Sequence, residues 1–152
     1  MALKLKILTV GTPDRWAKSA VEHWRRRIEV FAEIELDFLR IHRKHKPSDV
    51  ILKRMGDYPV ALTIAGEQLT SRDWAKFLER AKFENFSPVF IIGGADGLPR
   101  DVIEKCRRKI SLAPITLQHE VALIVLMEQI FRGLSINAGT PYHRHSDDIG
   151  GK

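Results

Sequence analysis

The sequence predicts an α/β protein in which helices flank a mainly parallel sheet. Segments with the apolar patterns of β-strands take turns along the chain with segments that repeat apolar residues every three or four positions. One strand-like segment, Pro88–Ile92, is apolar throughout and rich in branched residues, which is typical of a strand covered on both faces. Strands that alternate with helices pair mainly in parallel, because each helix carries the chain back to the edge where the previous strand began.

The first strand is predicted at residues 3–10, which alternate apolar residues with lysines before becoming wholly apolar, and it ends at Gly11. Thr12, Pro13 and Asp14 then predict a helix start. A hydroxyl can cap the helix, proline fits the first helical position, and a carboxylate suits the positive helix end. One apolar stripe on this helix is formed by Trp16, Ala20, Trp24, Ile28 and Phe31.

The middle of the chain is predicted to hold a strand at residues 34–41, a short helix at 48–55 and a strand at 58–65 that ends at Gly66. A longer helix follows, and its start at residues 70–73 has the spacing of a capping box. The apolar positions of that helix are Trp74, Phe77, Leu78 and Ala81.

Two basic segments each admit two interpretations. Arg25, Arg26 and Arg27 lie on the first helix, where a solvated helix face is favoured over a phosphate contact. Residues 40–46, RIHRKHK, precede Pro47 and form the most basic stretch of the chain; we call them the basic loop. Clustered positive charges on a loop can grip phosphates, and a solvated loop accounts for them equally well.

Composition limits the class of protein. The 152 residues are expected to form a single domain over residues 1–145 and a short flexible extension over 146–152. The lone cysteine, Cys106, cannot form an internal disulfide or a thiolate zinc site, which favours a reducing, cytoplasmic compartment. The longest apolar run, residues 121–127, is too short to span a membrane. The net charge of +6 and the pI of 9.7 favour a polyanionic partner such as nucleic acid.

The first chemically informative segment is the glycine-rich turn at residues 91–99, IIGGADGLP, between a buried strand and a predicted helix. Glycines let a ligand approach the backbone closely, and ligands of α/β sheets bind at the carboxyl ends of the strands. The spacing matches neither a dinucleotide fingerprint nor a phosphate loop. A tight strand-to-helix connection explains the turn as well as a ligand does.

The second informative segment is an extended stretch at residues 110–119 that contains Pro114, so it is expected to bend out of the sheet and leave backbone groups free. A helix is predicted from Glu120 to Leu134. Because its first half is apolar on all sides, both faces should be buried, and a second copy of the chain is the simplest cover. The sequence therefore predicts a homodimer.

The tail, residues 137–145, combines an aromatic ring, two imidazoles and a guanidinium. Such a group could stack a base, grip a phosphate and move a proton, and a frayed terminus is the alternative. Metal binding is disfavoured, because no Cys or carboxylate stands at ligand spacing. The histidines considered are His42, His45, His143 and His145.

Six motifs together resemble, in order and spacing, those of the RlmH family of SPOUT-class methyltransferases, over nearly the whole chain. They are TVG at 9–11, LTIAG at 62–66, FIIGGADGL at 90–98, LQH at 117–119, EQIFR at 128–132 and PYHR at 141–144. Family members methylate N3 of a pseudouridine in large-subunit ribosomal RNA. The resemblance implies a sheet with a C-terminal trefoil knot, a cytoplasmic homodimer, a ribosomal RNA or ribosome substrate, and S-adenosylmethionine (SAM) as methyl donor, without a metal.

The resemblance also implies roles for individual residues. SAM binding is carried over to Leu62, Gly93, Leu112, Ala113, Pro114, Ile115, Thr116 and Leu117, with the leucines and the isoleucine around the adenine. Catalysis is carried over to Arg132, Tyr142, His143 and Arg144. In this hypothesis His143 relays or accepts the N3 proton or Arg144 stabilises the developing anion, Tyr142 packs the base and Arg132 shapes the pocket.

The sequence departs from the family at Gln118, where proline is usual, and at Leu123, where arginine is usual. The loss of that arginine weakens the inference that this helix start contacts RNA or the donor carboxylate. Two alternatives stay open. One is a SPOUT-class RNA methyltransferase with a different target nucleotide, and the other is a non-catalytic RNA-binding protein.

Overall fold

A computed structural model describes residues 2–144 as a five-stranded sheet with helices on both faces. The strands are β1 (Lys4–Val10), β2 (Glu33–Leu39), β3 (Tyr58–Gln68), β4 (Pro88–Ile92) and β5 (Arg108–Ser111). The helices are α1 (Arg15–Glu29), α2 (Pro47–Leu52), α3 (Ser71–Glu84), α4 (Arg100–Lys105) and α5 (His119–Ala138). The strand order is β2-β1-β4-β3-β5 and every pairing between these strands is parallel, which confirms the predicted fold class. The expected extension at 146–152, together with His145, lies outside the described residues.

The sheet separates two cores because strand side chains alternate between its faces. On β1, Leu5 and Ile7 pack in the larger core beneath α1, α3 and α5, whereas Leu8 packs in the smaller core beneath α2 and α4. All five residues of β4 are buried, as the continuous apolar run predicts. The result is a three-layer arrangement in which β4 is the central strand of the sheet.

The predicted end of β3 at Gly66 is wrong, because the strand continues to Gln68. The β3–β5 pairing shifts register between Leu62 and Glu67, so Gly66 lies in an irregular stretch of the ladder. A Cβ on Gly66 would lie 2.6 Å from the backbone nitrogen of Ile110. The glycine therefore permits the close approach of β5 and does not terminate the strand.

The predicted cap of the first helix is also wrong. Asp14, not Thr12, is the N-cap residue of α1, and no side chain caps that helix start. The proposed apolar stripe is displaced as well, since Trp16 is 54% exposed and the buried face is formed by Ala17, Val21 and Ile28. The difference is confined to the first half of the helix, because Ile28 is buried as predicted and Trp24 and Phe31 are partly buried against the larger core.

The capping box of α3 is confirmed. The Thr70 hydroxyl accepts from the backbone N–H of Asp73 at 3.1 Å, and the Asp73 carboxylate accepts from the Thr70 N–H at 2.9 Å. These bonds to the charged form hold the pKa of Asp73 below its ordinary value. The local sequence alone fixes this helix start.

Helix α5 packs against both α1 and α3. It approaches α3 closely at Gly133, where a Cβ would lie 3.1 Å from the backbone nitrogen of Ala75. By length and composition α5 could cross a membrane, but ten of its residues are buried within the fold, which accounts for its apolar character. Val121, Ile124 and Val125 are only half-buried, so part of the predicted second face is uncovered in the single chain.

The remaining differences concern the ends of elements. β2 ends at Leu39 instead of residue 41, and α2 spans Pro47–Leu52 instead of 48–55. β5 ends at Ser111, so the extended stretch predicted at 110–119 leaves the sheet before Pro114 is reached. The helix after it begins at His119, one residue before the predicted start.

Candidate functional site

Because all five strands are parallel, they end at one edge of the sheet, which we call the carboxyl edge. A cavity of about 250 Å³ lies at this edge between the ends of β3, β4 and β5; we call it the edge cavity. Seven of the eight residues predicted to bind SAM line it: Leu62, Gly93, Leu112, Ala113, Ile115, Thr116 and Leu117. Pro114 is exposed and does not line it.

The edge cavity is also lined by residues to which the sequence assigned no individual role in SAM binding, several of them in the glycine-rich turn: Thr63, Ile64, Ile92, Gly94, Ala95, Gly97, Leu98, His119 and Ala122. Larger cavities also exist, such as one of about 550 Å³ at the opposite edge, near the starts of β1, β3 and β4. That cavity contains none of the predicted site residues. The predicted SAM residues therefore converge on the edge cavity and not on this larger one.

The glycine turn forms one wall of the edge cavity. Gly97 has a φ of 74° and its N–H donates to the carbonyl of Gly94 at 3.0 Å, which closes the turn. A Cβ on Gly93 would lie 2.4 Å from the carbonyl carbon of Gly97, so no other residue fits there without moving the backbone. The turn thus brings main-chain groups, rather than side chains, to the cavity.

The bent segment forms the opposite wall. The Ser111 hydroxyl donates to the Ala113 carbonyl at 2.8 Å, at the point where the chain leaves β5. Within residues 2–144, the backbone groups of 113–117 make no backbone–backbone hydrogen bonds. Ile115 is 60% exposed, and Leu112 and Leu117 are half-buried. The segment therefore offers free backbone donors and acceptors beside apolar side chains, as the presence of Pro114 predicted.

The start of α5 is held by a carboxylate that the sequence did not single out. Glu120 is 1% exposed, and its Oε2 accepts a short hydrogen bond from the backbone N–H of Asp14. This bond ties the loop before α1 to the helix whose His119 and Ala122 line the edge cavity. The positive N-terminal end of α5 favours the negative charge at this position. The sequence signal that could have identified this role is the position of Glu120 in the first turn of the predicted helix.

The two departures from the family fall at this helix start. Leu123 is 2% exposed and packs in the larger core, a place that would not suit a charged side chain. Gln118 is the N-cap residue of α5, and its side chain makes no capping hydrogen bond. His119 is consequently the only titratable side chain among the described residues that line the edge cavity.

Three of the four predicted catalytic residues meet at a second place, around Glu128. The Oε2 atom of Glu128 accepts from the Tyr142 hydroxyl at 2.8 Å and from Arg132 Nη2 at 2.6 Å. The Nη1 atom of Arg132 lies 3.1 Å from His143 Nδ1. We call these four residues the Glu128 cluster. The i, i+4 spacing of Glu128 and Arg132 was a signal for this pairing in the sequence.

The contacts of the Glu128 cluster restrict its protonation states. A guanidinium only donates hydrogen bonds, so His143 Nδ1 accepts from Arg132 and the proton of the neutral imidazole lies on Nε2. Burial and the hydrogen bond to Glu128 raise the pKa of Tyr142 above its ordinary value, so its hydroxyl is protonated at neutral pH. Tyr142 is therefore a donor in this arrangement and not a general base.

Arg27 is a neighbour of this cluster that the sequence placed on a solvated helix face, and that prediction is wrong. Its guanidinium carbon lies 4.6 Å from the ring centroid of Phe131 and 5.4 Å from those of Trp24 and Tyr142. Arg25, by contrast, forms surface ion pairs with Glu22 and Glu29. Trp24 lies three residues before Arg27 on the same helix, but Phe131 and Tyr142 come from α5 and the tail, so the local sequence does not show that Arg27 lies among three rings.

The fourth predicted catalytic residue, Arg144, is exposed and stands apart from the Glu128 cluster's hydrogen bonds. It lines an apolar cavity of about 430 Å³ together with Arg27, Val30, Phe31, Phe131, Thr140, Pro141 and Tyr142. This cavity and the edge cavity share no residue. Along α5 alone, Ala122 and Arg132 are about 15 Å apart. A single chain thus holds the two predicted halves of the site in separate places.

No group of three or more His, Cys, Asp or Glu side chains suited to a metal ion occurs in the part of the chain that the structure describes. The rings of His42 and His45 are tilted against each other at 60°, with centroids 6.3 Å apart. The edge cavity is lined mainly by apolar side chains and glycine backbone, which suits an organic ligand.

Solved structures of methyltransferases share this fold. A probable methyltransferase from Bordetella pertussis superposes with a TM-score of 0.55 at 16% identity, covering 88% of this chain and 95% of that one. A probable methylase family protein from Haemophilus influenzae gives a TM-score of 0.56 at 11% identity, covering 93% of this chain and 71% of that one. At such identities the similarity concerns the fold alone.

Sequence comparison is more specific. Ribosomal RNA large subunit methyltransferase H of Thermus thermophilus is 38% identical over 143 residues, which covers 93% of this chain and 99% of that protein. The protein of the same name from Streptococcus agalactiae is 33% identical and covers 93% and 100%. The family model described as "Predicted SPOUT methyltransferase" matches residues 3–143. From this match, and from the identity to these relatives over nearly their whole length, the chain belongs to the SPOUT methyltransferase family.

Proposed function

We propose that this protein transfers the methyl group of SAM to N3 of a pseudouridine in large-subunit ribosomal RNA. The observation that carries the proposal is the convergence of the glycine turn and the bent segment on the edge cavity, in a chain of this family. The names of the Thermus and Streptococcus relatives support the RNA substrate. Ribosomes are cytoplasmic in bacteria, so we place the activity in the cytoplasm.

The residues of the edge cavity suit SAM. Leu62, Leu112, Ile115 and Leu117 offer apolar surfaces for an adenine ring, and backbone groups of 114–117 are available to bind its nitrogens and the ribose. Gly93 lets the glycine turn close tightly beside the donor, since a Cβ there would lie 2.4 Å from the Gly97 carbonyl carbon. A structural relative from Streptomyces viridochromogenes is described as a complex with this cofactor. Bound SAM supplies an electrophilic methyl group for in-line transfer to N3, so the protein mainly aligns the reactants.

The Glu128 cluster is assigned to the acceptor nucleotide. Because Nδ1 of His143 accepts from Arg132, its Nε2–H is suited to donate to a pyrimidine oxygen as negative charge develops on the ring. The N3 proton then leaves to water, because the imidazole lone pair is engaged. Arg132 orients His143, Tyr142 fixes Glu128 and packs beside the base, and Arg144 stabilises the anion from the exposed side.

A homodimer is part of the proposal because a single chain keeps the edge cavity and the Glu128 cluster apart. The half-buried apolar residues Val121, Ile124 and Val125 lie on α5 between the two places and offer a surface for a second copy. In such a dimer the tail of one copy completes the edge cavity of the other. The single-chain separation of the two predicted groups supports this arrangement.

The decisive experiment is incubation with SAM labelled on its methyl group and with ribosomes from a strain that lacks the modification. Free 23S ribosomal RNA, large subunits and whole ribosomes are tested separately, and the labelled nucleotide is mapped. Label on N3 of a pseudouridine in 23S ribosomal RNA is expected, with the assembled ribosome as the best substrate. Label on another nucleotide would instead identify a different RNA target.

Calorimetry separates the enzyme from a non-catalytic RNA-binding protein. The enzyme is expected to bind SAM with micromolar affinity in the absence of RNA. Ile115→Asp in the edge cavity should abolish that binding, and the protein should stay folded because Ile115 is an exposed position. A protein that binds RNA and gives no heat with SAM would contradict the proposal.

A further inference from the structure

We propose that the basic loop grips phosphates of the substrate RNA beside the edge cavity, so that it helps to deliver the target nucleotide to the site. This inference rests on the proposed function and adds the surface by which the RNA is held. The loop is exposed, its charged side chains form no ion pairs within residues 2–144, and it follows a strand that ends at the carboxyl edge of the sheet.

The charges of the basic loop are available to a partner. Four of its seven residues are Arg or Lys, two are His, and none is acidic. Every residue from 42 to 46 is exposed, and so is Arg40. Within residues 2–144, Arg40, Arg43, Lys44 and Lys46 form no ion pairs, although nearby Asp37 pairs with Lys6 and Arg54. The loop thus concentrates positive charge that the fold leaves uncompensated.

The backbone of the basic loop is nevertheless fixed at both ends. The Leu39 carbonyl accepts from the Gly11 N–H at 2.7 Å, where β2 ends beside β1. The His45 N–H donates to the His42 carbonyl at 3.0 Å, and Lys46 is the N-cap residue of α2. The side chains therefore project from an anchored turn, which lowers the entropic cost of holding a partner.

The sheet places the basic loop close to the edge cavity. The loop follows the carboxyl end of β2, and β1 alone separates β2 from β4, whose glycine turn lines the edge cavity. Two strand spacings amount to about 10 Å. The glycine turn also touches β1, since a Cβ on Gly94 would lie 3.4 Å from Val10 Cγ1. The loop, the end of β1 and the edge cavity thus form one continuous surface.

RNA is the partner that this surface fits best. A distance of about 10 Å corresponds to roughly three nucleotide steps at about 3.4 Å each, so phosphates next to a bound target nucleotide come within reach of the loop. Mobile lysine and arginine side chains neutralise phosphates without reading sequence, and they position the RNA while other groups select the nucleotide. A structured RNA presents these phosphates in a fixed arrangement.

The test compares two triple variants with equal loss of charge. The loop variant is Arg43→Gln, Lys44→Gln and Lys46→Gln. The control variant is Lys4→Gln, Lys82→Gln and Lys105→Gln, three exposed positions at the start of β1 and in the last turns of α3 and α4, at the opposite edge of the sheet. Among the described residues, none of the six side chains takes part in an ion pair. Binding to 70S ribosomes from a strain lacking the modification is measured at several salt concentrations, and SAM binding is measured by calorimetry.

The loop variant should bind ribosomes about tenfold or more weakly than the control at 0.1 M salt, and the slope of log K against log salt should be shallower by about two to three. SAM affinity should be the same in all three proteins. If the loop variant matches the control in affinity and slope while the wild type binds both ligands, the inference is overturned and the proposed function stands. If the wild type fails to bind SAM, the proposed function is wrong and the inference falls with it.

Discussion

One hydrogen bond decides between two chemical roles of His143 that the sequence leaves open, general base and hydrogen-bond donor. An imidazole whose Nδ1 accepts from Arg132 keeps its proton on Nε2 and acts as a donor, whereas a general base needs a free lone pair. Tyr142 is excluded as a base by its raised pKa and by its bond to Glu128. The contacts of single atoms thus decide how a motif of ordinary residues can work.

Substitutions at His143 test the donor role. His143→Gln keeps an N–H near the Nε2 position and should retain a tenth or more of the methyl-transfer rate, while His143→Ala should lose about 100-fold. Both variants should bind SAM as the wild type does. If Gln is as inactive as Ala, the donor role of His143 is contradicted.

Cys106 should be an unreactive thiol. It is 7% exposed, its Sγ donates to the Val102 carbonyl at 3.3 Å, and burial raises its pKa to about 11. At pH 8 the thiolate fraction is then about 100-fold lower than for an ordinary cysteine. Alkylation should be at least that much slower in the native protein than in urea, and equal rates in both conditions would show that the thiol is accessible.

The same pKa gives a pH dependence of stability. The folded pKa of Cys106 lies above the unfolded value, so the folded state holds its proton at pH values where the unfolded state has lost it. The stabilising contribution is complete below about pH 8 and is lost as pH rises toward 11. The free energy of unfolding should fall less steeply over that range in Cys106→Ala than in the wild type. If the free energy of unfolding fell equally steeply with pH in both proteins, the raised pKa of Cys106 would be contradicted.

At the scale of elements, close backbone contacts decide where strands and helices meet. Gly66 lets β5 approach β3 through an irregular ladder, and Gly133 lets α5 approach α3. Glu120 adds a polar tie between the start of α5 and the loop before α1. These contacts bring the ends of β3, β5 and α5 together around the edge cavity.

Gly66→Ala should destabilise the protein. Its Cβ would lie 2.6–2.7 Å from the backbone of Ile110, which cannot yield as a flexible side chain does, so a loss of about 1–3 kcal/mol is expected. Urea denaturation measures the loss as a lower midpoint. Gly94→Ala is the matched control, because its Cβ would make only contacts of ordinary length with Val10, at 3.4 Å or more. Equal midpoints for the two variants would contradict the packing argument.

At the scale of the whole molecule, the separation of the edge cavity from the Glu128 cluster is the feature with the largest consequence. Both groups lie along α5, with the edge cavity at its start and the cluster beyond its middle. Homo-oligomers with two-fold symmetry repeat each contact twice, so one tail for each cavity is the natural arrangement. In solution the protein should have about twice the 17.4 kDa mass of the chain by light scattering at micromolar concentration.

Mixed dimers test whether two copies share the site. Ile115→Asp damages the edge cavity, His143→Ala damages the Glu128 cluster, and each variant alone should be nearly inactive. After exchange of subunits, half of the dimers contain one of each, and each mixed dimer has one intact site, so activity should recover to about a quarter of the wild-type value. A site formed within one chain would give no recovery.

Much of this protein could be determined from its sequence alone. The alternation of patterns predicted the parallel sheet, residues 70–73 predicted a capping box, and the apolar run Pro88–Ile92 predicted the buried strand β4. Motif order led to the methyltransferase family, and seven of the eight predicted SAM residues line one cavity. The predictions of the sheet, the capping box and β4 succeed because periodicity and capping are local properties, whereas the assignment of SAM binding to these residues stays a prediction.

The tertiary structure alone decided which side chains meet across elements. The continuation of β3 past Gly66, the contact of Arg27 with Phe131 and the Asp14–Glu120 hydrogen bond all depend on partners that are distant in sequence. The proximity of the basic loop to the edge cavity depends on strand order, since β4 inserts between β1 and β3. No local pattern encodes such pairings, because they follow from the packing of the whole chain.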